Sequence, residues 1–394
     1  MVLTVILGFF AFLSCVIVLW QWNAARRFPL HQRPAAVDFF PGITILKPLK
    51  GVETSTAKCL RSWFNQAYDG PVQILFGVAS ENDPVCDVVR RLISEHPRMD
   101  ARLVICDPTL GANAKVSTLM GLEKLAGHDL LVVSDADVLA PPDLLTHLAP
   151  PFQDLETGLV NCIYSLANPH TPAMHWEAVA INADFWSQVC QSRTLGPMDF
   201  ALGAVMATTR EWIHQIGGFH ALKDHLADDY ELGHLIHRQG GKIILSTIPV
   251  ECWSSPMTWR EVWIHQLRWA ITIRHCKPLP YFFSILGTGS LWPLLWLATS
   301  PSLSVLSATA ACLSIRITAA AALQQRLTRA RPTAAFFWPV IIKDLLQSLL
   351  WSFSLFIDHV QWRGNLHHIE HGGKISRSFI LGNAEEPIHH NPAL

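Results

Sequence analysis

Two aspartates one residue apart, Asp135 and Asp137, directly follow the apolar run 129-DLLVVS-134. Carboxylates are hard oxygen ligands. A pair this close suits Mg2+ or Mn2+, ions that keep some water and share the rest of their sphere with phosphate oxygens. In an extended chain the two side chains point to opposite faces, so a turn after Ser134 is needed to aim both at one cation. The other reading is local: Asp137 or Asp143 caps a helix that starts after Pro141-Pro142. An EF-hand is excluded, because its glycine and terminal glutamate are missing.

Three more stations carry charge. Asp83 lies in 81-ENDP-84, and Asp228 and Asp229 lie in 226-LADDYELG-233. Each also stands where a helix cap would. Burial of Asp229 beside Asp228 would raise its pKa and suit it to take a proton. Arg268 and Trp269 lie in the tryptophan-rich stretch 263-WIHQLRWAITIRH-275. A guanidinium there either grips a phosphate with two nitrogens or snorkels to a membrane surface. His367, His368, His371, His389 and His390 stand in a polar tail and read as solvated surface. The nine cysteines form no CxxC pair and read as reduced, mostly buried thiols.

These residues need a scaffold. Apolar runs at 43–46, 72–79, 102–106 and 129–134 alternate with helix-like segments at 54–66, 83–96 and 114–126. That alternation predicts an α/β domain with a parallel sheet covered by helices. Each strand runs into polar residues: Lys47, Glu81-Asn82-Asp83, Asp107 and Asp135-Ala136-Asp137. The carboxyl edge of such a sheet is where ligands bind. Neither Gly-x-Gly-x-x-Gly nor a P-loop pattern is present, which argues against a dinucleotide dehydrogenase or a P-loop ATPase.

The whole chain is apolar. Only 15% of its residues are charged against an ordinary quarter, and the net charge of −1 gives no electrostatic footprint for nucleic acid. Fifteen tryptophans point to membrane interfaces. Residues 1–22 hold an uncharged stretch followed by Arg26 and Arg27, which predicts an uncleaved anchor with the next domain cytoplasmic. Residues 40–252 read as the cytoplasmic domain, 253–280 as interfacial amphipathic helices, 281–357 as a C-terminal transmembrane region, and 358–394 as an irregular tail. Three full spans in that region would leave the tail outside, unless Pro293 marks a re-entrant or interfacial segment.

The constellation resembles the membrane glycosyltransferases related to ceramide glucosyltransferase, glycosyltransferase family 21. The motifs are 45-ILKPLKG-51, 111-GANAKVSTLM-120, three aspartates at Asp83, Asp135 and Asp229, and Arg268-Trp269. The stretch 251-ECWSSPMTWREVWIHQLRWA-270 looks most like the bacterial hopanoid-biosynthesis members, with His265 where the family carries Gln or Arg. The resemblance implies a GT-A-type nucleotide-sugar-binding domain with a mostly parallel sheet, flanked by the anchor and C-terminal transmembrane helices, in an integral protein of the bacterial inner membrane. It implies inverting transfer of glucose or N-acetylglucosamine from a UDP-sugar to a lipid hydroxyl, that of a hopanoid polyol or of ceramide. A processive polysaccharide synthase is the other enzymatic reading. Asp229 would be the base. Lys47, Pro48, Leu49, Asp83, Lys115, Asp135, Arg268 and Trp269 would hold the nucleotide sugar, with Gly203 near its sugar. Asp135 and Asp137 would hold Mg2+ or Mn2+. Trp263, His265 and Trp269 would face a lipid acceptor arriving from the bilayer.

Overall fold

The computed structural model describes residues 2–34, 38–362, 365–370 and 372–377. The chain opens with α1 (Val2–Arg27) and then enters the α/β domain through β1 (Ile43–Pro48). Next come α2 (Thr56–Phe64), β2 (Val72–Val78), α3 (Val85–Glu95), β3 (Asp100–Ile105), α4 (Ala114–Glu123) and β4 (Leu130–Ser134). The second half follows with β5 (Val138–Leu139), α5 (Leu144–Leu148), β6 (Thr157–Leu166), α6 (Pro172–Val179), a π-helical turn at Ala180–Phe185, and α7 (Trp186–Ser192). It closes with β7 (Val205–Thr209), α8 (Arg210–Gln215), α9 (Asp228–Arg238) and β8 (Lys242–Cys252).

These strands form one eight-stranded sheet in the order β3-β2-β1-β4-β7-β6-β8-β5. The first four, together with the β6–β8 pair, run parallel, whereas β7 lies antiparallel between β4 and β6. Side chains alternate across β4: Leu130 and Val132 enter the core with Trp63 and Phe76, and Leu131 and Val133 enter the core with Leu119 and Phe219. Both faces are therefore apolar, as a helix-covered parallel sheet requires. Gly77 lets α4 sit tight on β2, because a β-carbon there would lie 2.4 Å from the Thr118 methyl.

Beyond β8, α10 (Trp259–Cys276) starts at a capping box in which Thr258 and Glu261 satisfy each other's backbone N–H groups. It is followed by α11 (Pro278–Phe283), α12 (Leu291–Thr299), α13 (Leu303–Thr328) and α14 (Ala334–Ser354). Among the described residues, α1 and α13 are each long and apolar enough to cross a membrane. The segment 281–300, expected as one span, is bent by 53° between Pro278–Gly287 and Leu291–Thr299. The Ser290 N–H freed at the break donates to Asp344 of α14 at 3.0 Å.

The described part of the tail carries regular structure, where an irregular tail was expected. Strands β9 (His359–Trp362), β10 (Asn365–Ile369) and β11 (Ile375–Arg377) make an antiparallel sheet. His367 is buried there, against the expectation of a solvated histidine, while His371, His389 and His390 lie outside the described residues. The small sheet packs Val360, Ile369 and Ile375 on Leu226 and Ile271, and the Ile375 N–H donates to Asp224 O at 2.7 Å. These strands thus rest on the loop that leads into α9.

Candidate functional site

The carboxyl edge of the sheet gathers the acidic residues as expected. The Asp135 N–H donates to Ala204 O at 3.2 Å, just beyond the Ser134–Val205 rung of β4 and β7. The preceding residue, Gly203, faces Asp229: a β-carbon on it would lie 2.8 Å from Asp229 Oδ2. Gly203 was expected beside a donor sugar; what a side chain would meet in the structure is the candidate base. Asp229 itself lies in the first turn of α9, where the helix dipole favours a negative charge, yet neither Asp228 nor Asp229 makes a side-chain cap.

One cation ties these elements together. Lys115 Nζ stands 2.8 Å from Asp135 Oδ1 and 3.1 Å from Asp228 Oδ2. Asn113 begins α4 with its side-chain oxygen accepting from the Lys115 and Val116 N–H groups, and its Nδ2 donates to His225 O at 2.8 Å. This places the lysine between the end of β4 and the start of α9. Burial disfavours the Lys115 charge, but Asp135, Asp228 and Asp229 outweigh it and push its pKa up.

The remaining carboxylates are less settled. Burial, and then the Asp228 charge, raise the Asp229 pKa to about 6. Burial, and then Asp135, raise that of Asp137 to about 7. The Asp137 carbonyl accepts from the Trp253 N–H at 3.0 Å, which locks its backbone to the end of β8. Among the described residues no three His, Cys, Asp or Glu side chains converge on one point. Two carboxylates alone leave most of a coordination sphere open, as fits a cation that also takes water and phosphate oxygens.

Lys47 was expected beside a nucleotide base. Its side chain is wholly buried over the Trp63 ring, and its amine donates to Ser134 Oγ at 3.1 Å and to the Asp135 carbonyl. Burial lowers its pKa to about 8. Pro48 and Leu49 are buried with it. Asp83 lies at the same edge and accepts from the Gly51 N–H at 3.0 Å and from the Val85 N–H at 3.0 Å. It therefore staples the β1–α2 loop to the start of α3.

Beyond β8, Trp269 of α10 meets Tyr164 edge-on at 6.4 Å and Phe185 at 5.5 Å between ring centres. Arg268 precedes it, half-buried. His265 is 5.3 Å from the Trp269 ring centre and hydrogen-bonds through Nδ1 to Glu177, a carboxylate 1% exposed. Trp263 instead packs on Trp176 and Phe353, joining α10 to α6 and α14. The sequence reading missed Glu177, Asn113 and Tyr164. Of these only Asn113 left a trace, as the Asn of the Gly-x-Asn-x-Lys motif.

Comparison with known proteins agrees with this geometry. Ceramide glucosyltransferase 1 of Caenorhabditis elegans is 24% identical over 230 residues, 56% of this chain and 47% of that one. Beta-monoglucosyldiacylglycerol synthase of Trichormus variabilis is 24% identical over 283 residues, 68% of this chain and 57% of that one. The chain thus spans about half the length of these relatives. The fold matches the mannosyltransferase PcManGT of Pyrobaculum calidifontis, solved with GDP-Man and Mn2+, with a TM-score of 0.51, 20% identity, and coverage of 90% of this chain and 98% of that one. This is the GT-A fold that the sequence resemblance implied. The match to the family model runs over residues 6–375, and the chain belongs to glycosyl transferase family 21.

Proposed function

We propose that this chain transfers a sugar from a nucleotide sugar to the hydroxyl of a membrane lipid in one inverting displacement. The observation that carries this is the convergence of Asp135, Lys115 and Asp229 at one sheet edge, with Trp269 connecting that edge to apolar helices. The acceptor oxygen forms a bond to the anomeric carbon as the bond from that carbon to the diphosphate oxygen breaks. The diphosphate leaves with the bonding electrons, and Asp229 takes the acceptor proton. Its pKa of about 6 leaves it ionised at neutral pH and still basic enough to accept that proton.

The diphosphate needs positive charge. Asp135 and Asp137 would hold Mg2+ or Mn2+, which supplies Lewis-acid stabilisation of the leaving group. Arg268 would add a planar contact to the same phosphates. Lys115 holds Asp135 and Asp228 in register, and Lys47 supports the Asp135 backbone from below. Asp83 would meet the nucleoside through the loop it anchors. His265 and Trp269 would line the acceptor side.

The finer reading is a UDP-sugar donor carrying glucose or N-acetylglucosamine and a hopanoid polyol acceptor, in a bacterial inner membrane with the α/β domain cytoplasmic. Its support is the likeness of 251–270 to hopanoid enzymes. The names of the relatives favour ceramide or diacylglycerol as the second reading. The test is incubation of the purified full chain with radiolabelled UDP-glucose or UDP-N-acetylglucosamine and each of these three lipids. A labelled lipid, lost on adding EDTA, is the expected product; long polymer, or no transfer to any lipid, would overturn the proposal.

A further inference from the structure

A second site lies away from the sheet edge, where α1 and α13 end side by side. A cavity of about 470 Å3 opens there, lined by Trp22, Arg26, His31, Arg326 and Arg329 among others, with no acidic residue among the described residues of its wall. That volume is within the roughly 300–1,000 Å3 of small-molecule sites. Both helices present their C-termini, whose carbonyls would repel an anion. Here three of those carbonyls, and that of Phe28 just beyond α1, accept from side chains. Arg326 donates to Ala25 O and Phe28 O, and the His31 ring donates to Arg326 O and Leu327 O at 3.0 Å each. This leaves Arg26 and Arg329 exposed at the rim, Arg26 resting over the Trp22 ring at 5.3 Å.

The backbone carries an independent signal. Among the described residues only two non-glycine residues have positive φ, His31 at 64° and Arg329 at 59°, and both line this cavity. Arg329 is the residue that ends α13, where glycine ordinarily provides the left-handed turn. Strained positions of this kind gather at ligand-binding sites. Glycine would hold this φ with less strain.

We propose that this cavity binds the phosphate headgroup of an anionic phospholipid. Arg26 and Arg329 would pair with the phosphate, and Trp22 would lie at headgroup level, as interfacial tryptophans do. The inference requires α1 and α13 to lie in a bilayer and is independent of the transferase reading, because its test measures binding and not turnover.

The experiment is native mass spectrometry of the full chain in neutral detergent, titrated with phosphatidylglycerol or phosphatidylcholine. The expected result is one phosphatidylglycerol retained in preference to phosphatidylcholine. Arg26→Gln and Arg329→Gly should each weaken it about fivefold, the effect of one basic residue near a lipid surface. Arg329→Gly should also unfold at the same or a higher temperature than the wild type, since glycine accepts φ of 59° without strain. Arg26→Gln, on the exposed last turn of α1, provides a second reading if the glycine variant folds poorly. Equal retention of the two lipids, undiminished binding by both variants, or full displacement of the lipid by inorganic phosphate at matched concentration would each overturn the proposal.

Discussion

Gly203 and Asp229 touch: a single added carbon on the glycine would come within 2.8 Å of the carboxylate oxygen Oδ2. Gly203→Ala should therefore displace the candidate base without disturbing the core. A misplacement of about 1 Å would lower turnover by about 100-fold. Steady-state kinetics should show kcat falling, with KM for the donor and the melting temperature close to wild type.

The pH profile tests Asp229 directly. Its pKa is raised to about 6, so the basic form is lost as pH falls through that value. Activity should be flat above pH 6.5 to 7 and drop about tenfold per unit below 6. Asp228→Asn removes the like charge that helps to raise this pKa and should move the acid limb to lower pH. A limb that stays in place would assign it to another group. Asp229→Asn should lose about 100- to 10,000-fold in kcat and still bind the nucleotide sugar.

Lys47 separates support from ligand contact. Its amine holds Ser134 and the Asp135 carbonyl from within the core. Lys47→Met fills much the same volume but drops both hydrogen bonds. Turnover should fall with little change in the dissociation constant of the nucleotide, measured by calorimetry. A large loss of nucleotide affinity would restore the direct role first expected of it.

Among the described residues, Arg316 lies at the centre of a buried charge network. It donates to Asp184 at 2.8 Å and to both oxygens of Asp344 at 2.8 and 2.9 Å, and Lys343 pairs with Asp184. Arg316→Met leaves Asp344 without its main partner and should destabilise the protein by about 3–5 kcal/mol. The double change Arg316→Met with Asp344→Leu should recover most of that loss in a thermal melt.

Much of this was legible before the structure because polar residues at strand ends have few other uses. Asp135, Asp83 and Asp229 were read from their places after apolar runs or before a helix, and they lie where a doubly covered sheet must put them. What the sequence does not show of Lys47 is its burial. A lysine ending a strand looks exposed, but β1 is central and its pleat turns this side chain inward between Trp63 and Ser134. Glu177 left no local sign, since its partner His265 is 88 residues further on. The tail sheet was hidden by strands of three to five residues, too short for periodicity to register.

The Arg316 network also bears on how the protein is made. A lone arginine near the middle of an apolar helix costs roughly 2.5–3.5 kcal/mol to insert. Its partners come from two directions: Asp184, 132 residues earlier, and Asp344, 28 residues later. When α13 leaves the ribosome, Asp184 has already been synthesised and Asp344 has not. Asp184, in the π-helical turn of the α/β domain, is then the first carboxylate available to Arg316. The C-terminal helices thus draw one partner of their buried arginine from the α/β domain and the other from within their own α13–α14 pair.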